Sequence, residues 1–218
     1  MNYLTNPSSY NLSDPNSIPN LLLQHLYIVG VAMLISVVIA IPAGLLLARY
    51  RRFYLPVVTF TSLLYSIPSI AFIAVLITVT GLSLSTILIP LIVYNQLVLI
   101  SNTAAAVNNI DPLMIEVARG VGMNRWQTFY RVTLPLALPV IVAGIRISTV
   151  TTIGIASLAG FIGQGGLGAL IFMNITVADY DAIFAGAFLL ALLAIVADLL
   201  LLWLQTAVNR GRSKLAVA

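Results

Sequence analysis

A chain of 218 residues that is 61% hydrophobic and only 7% charged cannot hide its apolar surface in an aqueous fold, where charged residues make up about one quarter of the sequence. It has room for one compact helical domain and none for a second soluble domain carrying its own enzyme. The net charge of +4 comes from ten basic and six acidic residues, and cysteine is absent, which excludes disulfides, thiol catalysis and thiolate metal sites.

Residues 1–20 contain no Lys or Arg and several Asn, Ser and Pro. They lack the basic start of a cleaved signal peptide and read as an external N-terminal segment, so the first span is expected to direct insertion itself. A helix needs ~20 apolar residues to cross ~30 Å of hydrocarbon, and five segments qualify: Leu21–Ala48, Leu55–Val79, Leu84–Val107, Leu136–Leu158 and Ile183–Val208. None alternates as a barrel strand would. The sequence therefore predicts an all-α integral membrane domain over 21–208, a five-transmembrane-helix bundle with a polar loop at 108–135 and a tail at 209–218.

Span one opens on His25, the single histidine, which reads as an interfacial residue at the outer edge. Span two contains Ser66, Pro68 and Ser69, and span three contains Pro90; each proline is expected to kink or locally open its helix. On span three Asn95 and Asn102 are seven residues apart and share a face with Tyr94 and Ser101 beside them. That face points into the bundle or toward a partner, as interhelical hydrogen-bond glue or as substrate contact. In the loop, Asp111-Pro112 predicts a helix start running to Arg119, Gly120 and Gly122 permit a sharp turn, and a second short helix is expected over Asn124–Arg131, ended by Pro135. Arg146 on span four and Asp198 on span five each lie about ten residues, or ~15 Å, from the same end, which predicts an interhelical ion pair. Snorkelling of Arg146 and an aqueous vestibule at Asp198 form the alternative.

Gly163, Gly165, Gly166 and Gly168 form a G-x-G-x-x-G pattern, but it follows no strand and opens no βαβ unit, so a nucleotide site is rejected. Leu167, Leu170, Ile171 and Phe172 are too apolar for a free loop, which favours a close-packed re-entrant segment over a flexible turn. Arg49, Arg51 and Arg52 follow span one, Arg119, Arg125 and Arg131 lie between spans three and four, and Arg210, Arg212 and Lys214 follow span five. The intervening loops have no Lys or Arg, which predicts the N-terminus outside and the C-terminus in the cytoplasm. Basic residues split among three loops do not form a nucleic-acid stripe.

Glu116, Ala118, Gly122, Leu134 and Pro135 stand at the spacing of the cytoplasmic signature of importer-type ABC transporter permeases, with Val117 and Val132 in place of an alanine and an isoleucine. The segment resembles that signature, which implies a type I permease bundle and a coupling helix that docks into a groove on an ATPase subunit. On this resemblance Glu116 supplies charge-assisted contacts, Ala118 permits close approach and Gly122 sets the turn. The stretches HLYI from His25, SIPSIA from Ser66, the Ser101–Thr103 and Asn109–Asp111 regions, AGIRIST from Ala143 and IGQGGLGALIF from Ile162 are together similar to the osmoprotectant branch, importers of glycine betaine, carnitine and choline.

The resemblance implies uptake of such solutes at the plasma (inner) membrane of a bacterium or archaeon. Its partners would be a second permease, identical or related, two cytoplasmic ATPases and an external or periplasmic binding protein. ATP and Mg would bind the ATPases, and no cofactor is expected on this chain. Five spans without an inverted repeat are too few to enclose a path, which also calls for a second chain. Ser66, Pro68, Ser69, Asn95, Asn102 and the four glycines are the candidates for path or gate. Recognition is expected mainly in the binding protein, since Trp126 and Trp203 lie on the cytoplasmic side, with Tyr65, Phe72 and Tyr94 offering cation contacts in the path. A methionine permease, which shares the layout and signature, is the alternative. An intramembrane enzyme is a distant one, with serines in number but His25 as the sole base and no convincing nucleophile turn.

Overall fold

A computed structural model describes residues 2–215; residues 216–218 of the predicted tail lie outside the described residues. The described residues form helices and turns with no strand. After a short turn α1 (Asn2–Thr5) and a 3-10 turn at Pro7–Tyr10, the elements are α2 (Ile18–Arg49), α3 (Tyr54–Tyr65), α4 (Ser69–Thr80), α5 (Leu84–Asn108), α6 (Pro112–Gly120), α7 (Arg125–Thr128), α8 (Leu134–Ala156), α9 (Leu158–Phe161), α10 (Ala169–Ile175) and α11 (Tyr180–Leu215).

Among the described residues four helical stretches are long and apolar enough to cross a membrane, and the pair α3 and α4 makes a fifth span if counted as one. The single helix expected over Leu55–Val79 is two helices of 12 residues each, bent by 86°. The physical reason lies at Ser66–Pro68. Pro68 has no N–H to give and forces its predecessor out of the helical region, and the Tyr94 hydroxyl donates to the freed Ile67 carbonyl at 2.7 Å. Pro90 behaves otherwise: α5 runs unbroken through it, with the ring fully buried among neighbours that hold the helix.

Helix α5 is the centre of the bundle, flanked by α2 and α8, with α11 packed on α8. Close approach is secured by small residues: a side chain added at Gly44 of α2 would come within 2.6 Å of Thr103, and one at Gly144 of α8 within 2.8 Å of Asn102, the membrane habit of packing through glycine. Ile28, Val29, Ala32 and Met33 share one core cluster with Ile87, Leu91 and Ile153, and Ala40 and Leu47 share another with Leu99 and Ile100. Early residues of α2 thus meet early residues of α5, and late meet late. The two helices run parallel, Arg51, just past the end of α2, donates to Oδ1 of Asn108, the last residue of α5, at 3.1 Å, and the bent pair between them must carry the chain from one end of the bundle to the other. Arg49–Arg52 and the 108–135 segment consequently lie at the same end.

The N-terminal segment is packed on the bundle: α1 lies against α11, and Ser9 and Ser17 are buried. Two further expectations change. The start of α8 is no break at Pro135: a π-helical turn at Phe129–Thr133 joins α7 to α8. The Leu134 N–H bonds to Phe129 O, five residues back, and this wider turn accommodates a proline that cannot donate. The tail predicted from 209 continues α11 as helix to Leu215.

Candidate functional site

The signature segment builds two short capped helices at the basic end. Asp111 caps α6 by accepting from Leu113 N at 2.9 Å, as an N-cap carboxylate does. The helix closes on Gly122, whose φ of 83° is the left-handed conformation that ends a Schellman motif; Met123 N–H bonds to Ala118 O and Gly122 N–H to Arg119 O. Asn124 then starts α7 through a reciprocal capping box with Gln127. Ala118 is buried, 4% exposed, so its small size serves packing of α6 on its own chain, not approach by a partner. What α6 turns outward is Glu116 beside the stripe Leu113, Val117 and Val121, spaced four apart on one face. The stripe was legible as spacing but is masked in the sequence by the signature's polar residues. Leu134 and Pro135 are half-buried at the root of α8.

The break between α3 and α4 lies beside a cavity of 260 Å³ lined by Tyr65, Ser66, Pro68, Ser69 and Tyr94. Tyr94 stands edge-on to Tyr65 at 5.6 Å and to Phe72 at 5.9 Å between ring centroids. The aromatic trio and the three SIPSIA candidates therefore meet at one place. Asn95 and Asn102 do not join them. Asn95 is buried at 4% exposure, with Nδ2 3.4 Å from Ser36 Oγ and Thr152 Oγ1 3.0 Å from its Oδ1, tying α2, α5 and α8 together. Asn102 donates to Val98 O of its own helix at 2.8 Å.

At the opposite end from the signature, the glycine segment is packed tightly. Gly166 N–H donates to Gln24 Oε1 at 3.0 Å, Gln164 Nε2 donates to Leu82 O at 3.0 Å, and Leu167 is fully buried. Gly165 and Gly166 have φ of 77° and 75°, Gly163 turns similarly at the surface, and the backbone at Gly168 lies against Ser157 O with no space for a side chain. His25 is fully buried under this segment, with Nε2 3.2 Å from Ile153 O; its interfacial reading gives way to a core role. This end carries Asp14, Asp179 and Asp181 and no Lys or Arg. Tyr3 registers that bias, its phenol pushed above its usual value first by burial and then by Asp14 and Asp179.

The structure brings Arg146 and Asp198 together in a two-point pair: Nε donates to Oδ1 and Nη2 to Oδ2 at 2.8 Å. The side chains are 30% and 33% exposed and line a cleft of 430 Å³ between α8 and α11. Among the described residues no group of His, Asp or Glu is arranged to hold a metal ion.

Residues 36–214 match the family described as binding-protein-dependent transport system inner membrane component. The chain belongs to this family. Relatives of this inner membrane component include a carnitine transport permease protein of Listeria monocytogenes, 35% identical over 88% of this chain and 86% of that one. An osmoprotectant import permease protein of Salmonella typhimurium is 36% identical over 90% and 94%, and a choline transport system permease protein of Bacillus subtilis is 34% identical over 98% and 95%. Among solved structures, the inward-facing MetNI methionine ABC transporter is similar with a TM-score of 0.74 over 85% of this chain and 93% of that one, at 24% identity, a likeness of fold.

Proposed function

We propose that the chain is the permease subunit of an ATP-driven importer of quaternary ammonium osmoprotectants such as glycine betaine, carnitine or choline. The observation that carries this reading is the near full-length likeness to permeases named for carnitine, choline and osmoprotectants. The fold likeness to a methionine transporter falls at lower sequence identity and speaks to architecture.

The geometry supports the same reading at three places. The aromatic cavity at the α3–α4 break offers ring faces to a cation at a point where backbone is already unwound. The outer end, acidic and free of Lys and Arg, favours cation approach, while the basic end takes the cytoplasmic side under the positive-inside rule. The Arg146–Asp198 cleft suits water or a second chain, since a part-exposed ion pair at membrane depth is costly against hydrocarbon.

In this account the chain hydrolyses nothing. Separate ATPases carry ATP and Mg, and Glu116 with the Leu113, Val117 and Val121 stripe seats in their groove. Closing of the ATPases draws two such helices together and reorients the path. The glycine segment faces the external binding protein. The absence of native cysteine makes the docking testable: Val117→Cys in the complete transporter should cross-link to the ATPase, and Val79→Cys, exposed on α4, should not. Cross-linking from neither position would refute the docking assignment.

A further inference from the structure

Beneath α6 lies a second feature that the coupling role does not use. Arg49 at the end of α2, Arg119 near the end of α6 and Arg125 at the start of α7 line one cavity of 470 Å³ together with Thr128 and Thr133. No carboxylate lines it, and none of the three arginines has a carboxylate partner among the described residues, where the ion pair present is Arg146–Asp198. The cavity shares Arg49, Arg125, Phe129 and Thr133 with a groove of 540 Å³. The far wall of that groove is apolar, made by Leu45 and Leu46 of α2, Val107 of α5 and the exposed ring of Trp126.

We infer that this composite site binds one anionic phospholipid of the cytoplasmic leaflet, its phosphate among Arg49, Arg119 and Arg125 and an acyl chain along Leu45, Leu46 and Val107. Three uncompensated guanidiniums favour a phosphate, to which arginine donates in pairs. An acidic side chain or a free anion would satisfy the charge and leave the groove unfilled, whereas a lipid fills both. Basic pockets among spans at the cytoplasmic surface recognise anionic headgroups, and Trp126 sits at the mouth where aromatic side chains meet the headgroup level. The site spans α2, α5, α6 and α7, so an occupied site ties the root of the coupling helix to the bundle. The inference rests on the cytoplasmic placement of the 108–135 segment.

The test uses the purified full chain in detergent, with phosphatidylglycerol, phosphatidylcholine or inorganic phosphate added and bound lipid counted by native mass spectrometry. Wild type should retain phosphatidylglycerol over phosphatidylcholine, and R119Q/R125Q should bind it roughly 30-fold more weakly, from ~1 kcal/mol per arginine. Arg52→Gln, outside both cavities and stacked on Phe53 at 4.6 Å, should bind as wild type. Equal retention by wild type and the double variant would overturn the inference. So would binding of inorganic phosphate at the level of phosphatidylglycerol, equally reduced in the double variant. Labelling of Val121→Cys in sealed cells, by a reagent that cannot cross the membrane, reads the orientation separately: protection supports the cytoplasmic placement, and labelling from outside overturns it whatever the lipid count.

Discussion

Asn95, Arg146 and Asp198 inside this bundle are held by partners, and the partners decide what each can do. Asn95 is joined to Ser36 and Thr152 on two other helices, so Asn95→Ala should lower thermal stability in detergent by about 1 kcal/mol, the scale of an interhelical membrane hydrogen bond. An unchanged unfolding midpoint would contradict its role as a three-helix tie. Arg146 and Asp198 form a two-point pair, and leaving either charge alone at that depth is expected to cost more than reversing both. Arg146→Asp and Asp198→Arg should each reduce the amount of folded protein and its uptake, and the double swap should recover part of both. A double swap no better than the single variants would place the pair outside the account. The depth of the two charges was readable from helical rise alone. Burial of His25 was not, because it depends on Ile153 and the glycine segment, more than a hundred residues away in the chain.

At the scale of the element, the informative departure is the broken second span. Pro68 marked the position, yet hydropathy sees a continuous apolar run over Leu55–Val79; the 86° bend falls at Ser66–Pro68, where Tyr94 of another helix donates to the exposed Ile67 carbonyl. Tyr94→Phe removes that hydrogen bond and keeps the ring; Tyr94→Leu removes both. If the ring contacts the transported cation, quaternary amine uptake should fall about tenfold in the leucine variant, the effect of losing ~1.4 kcal/mol of cation–π attraction, and much less in the phenylalanine variant. Equal uptake by the leucine variant and wild type would remove the aromatic cavity from the path. The 108–135 segment was more legible. Asp111, Gly122 and Asn124 carry local cap and turn chemistry that acts within a few residues, and α6 and α7 begin where those residues predict. The π-helical entry to α8 was not, since the wider turn at Phe129–Thr133 reflects how a helix absorbs Pro135 without stopping.

At the scale of the whole molecule, several faces are left uncovered by the chain itself. Helix α11 presents Phe184, Phe188, Leu192, Ile195 and Leu199 outward along its length, α6 leaves its apolar stripe uncovered, and the Arg146–Asp198 cleft opens on the chain's own surface. In the proposed complex these faces would meet lipid, an ATPase, and water or a second chain respectively. Composition and the spacing of basic residues were enough to read a multi-pass bundle, whereas the parallel course of α2 and α5 required tertiary contacts. The most direct measurement is energised uptake of labelled glycine betaine, choline, carnitine and methionine in cells carrying the complete transporter, with the intact chain, with Glu116→Lys, or without the chain. Quaternary amine uptake is expected with the intact chain only, and methionine uptake should be indifferent to all three. Methionine uptake that depends on the chain, or quaternary amine uptake that persists without it, would contradict the account.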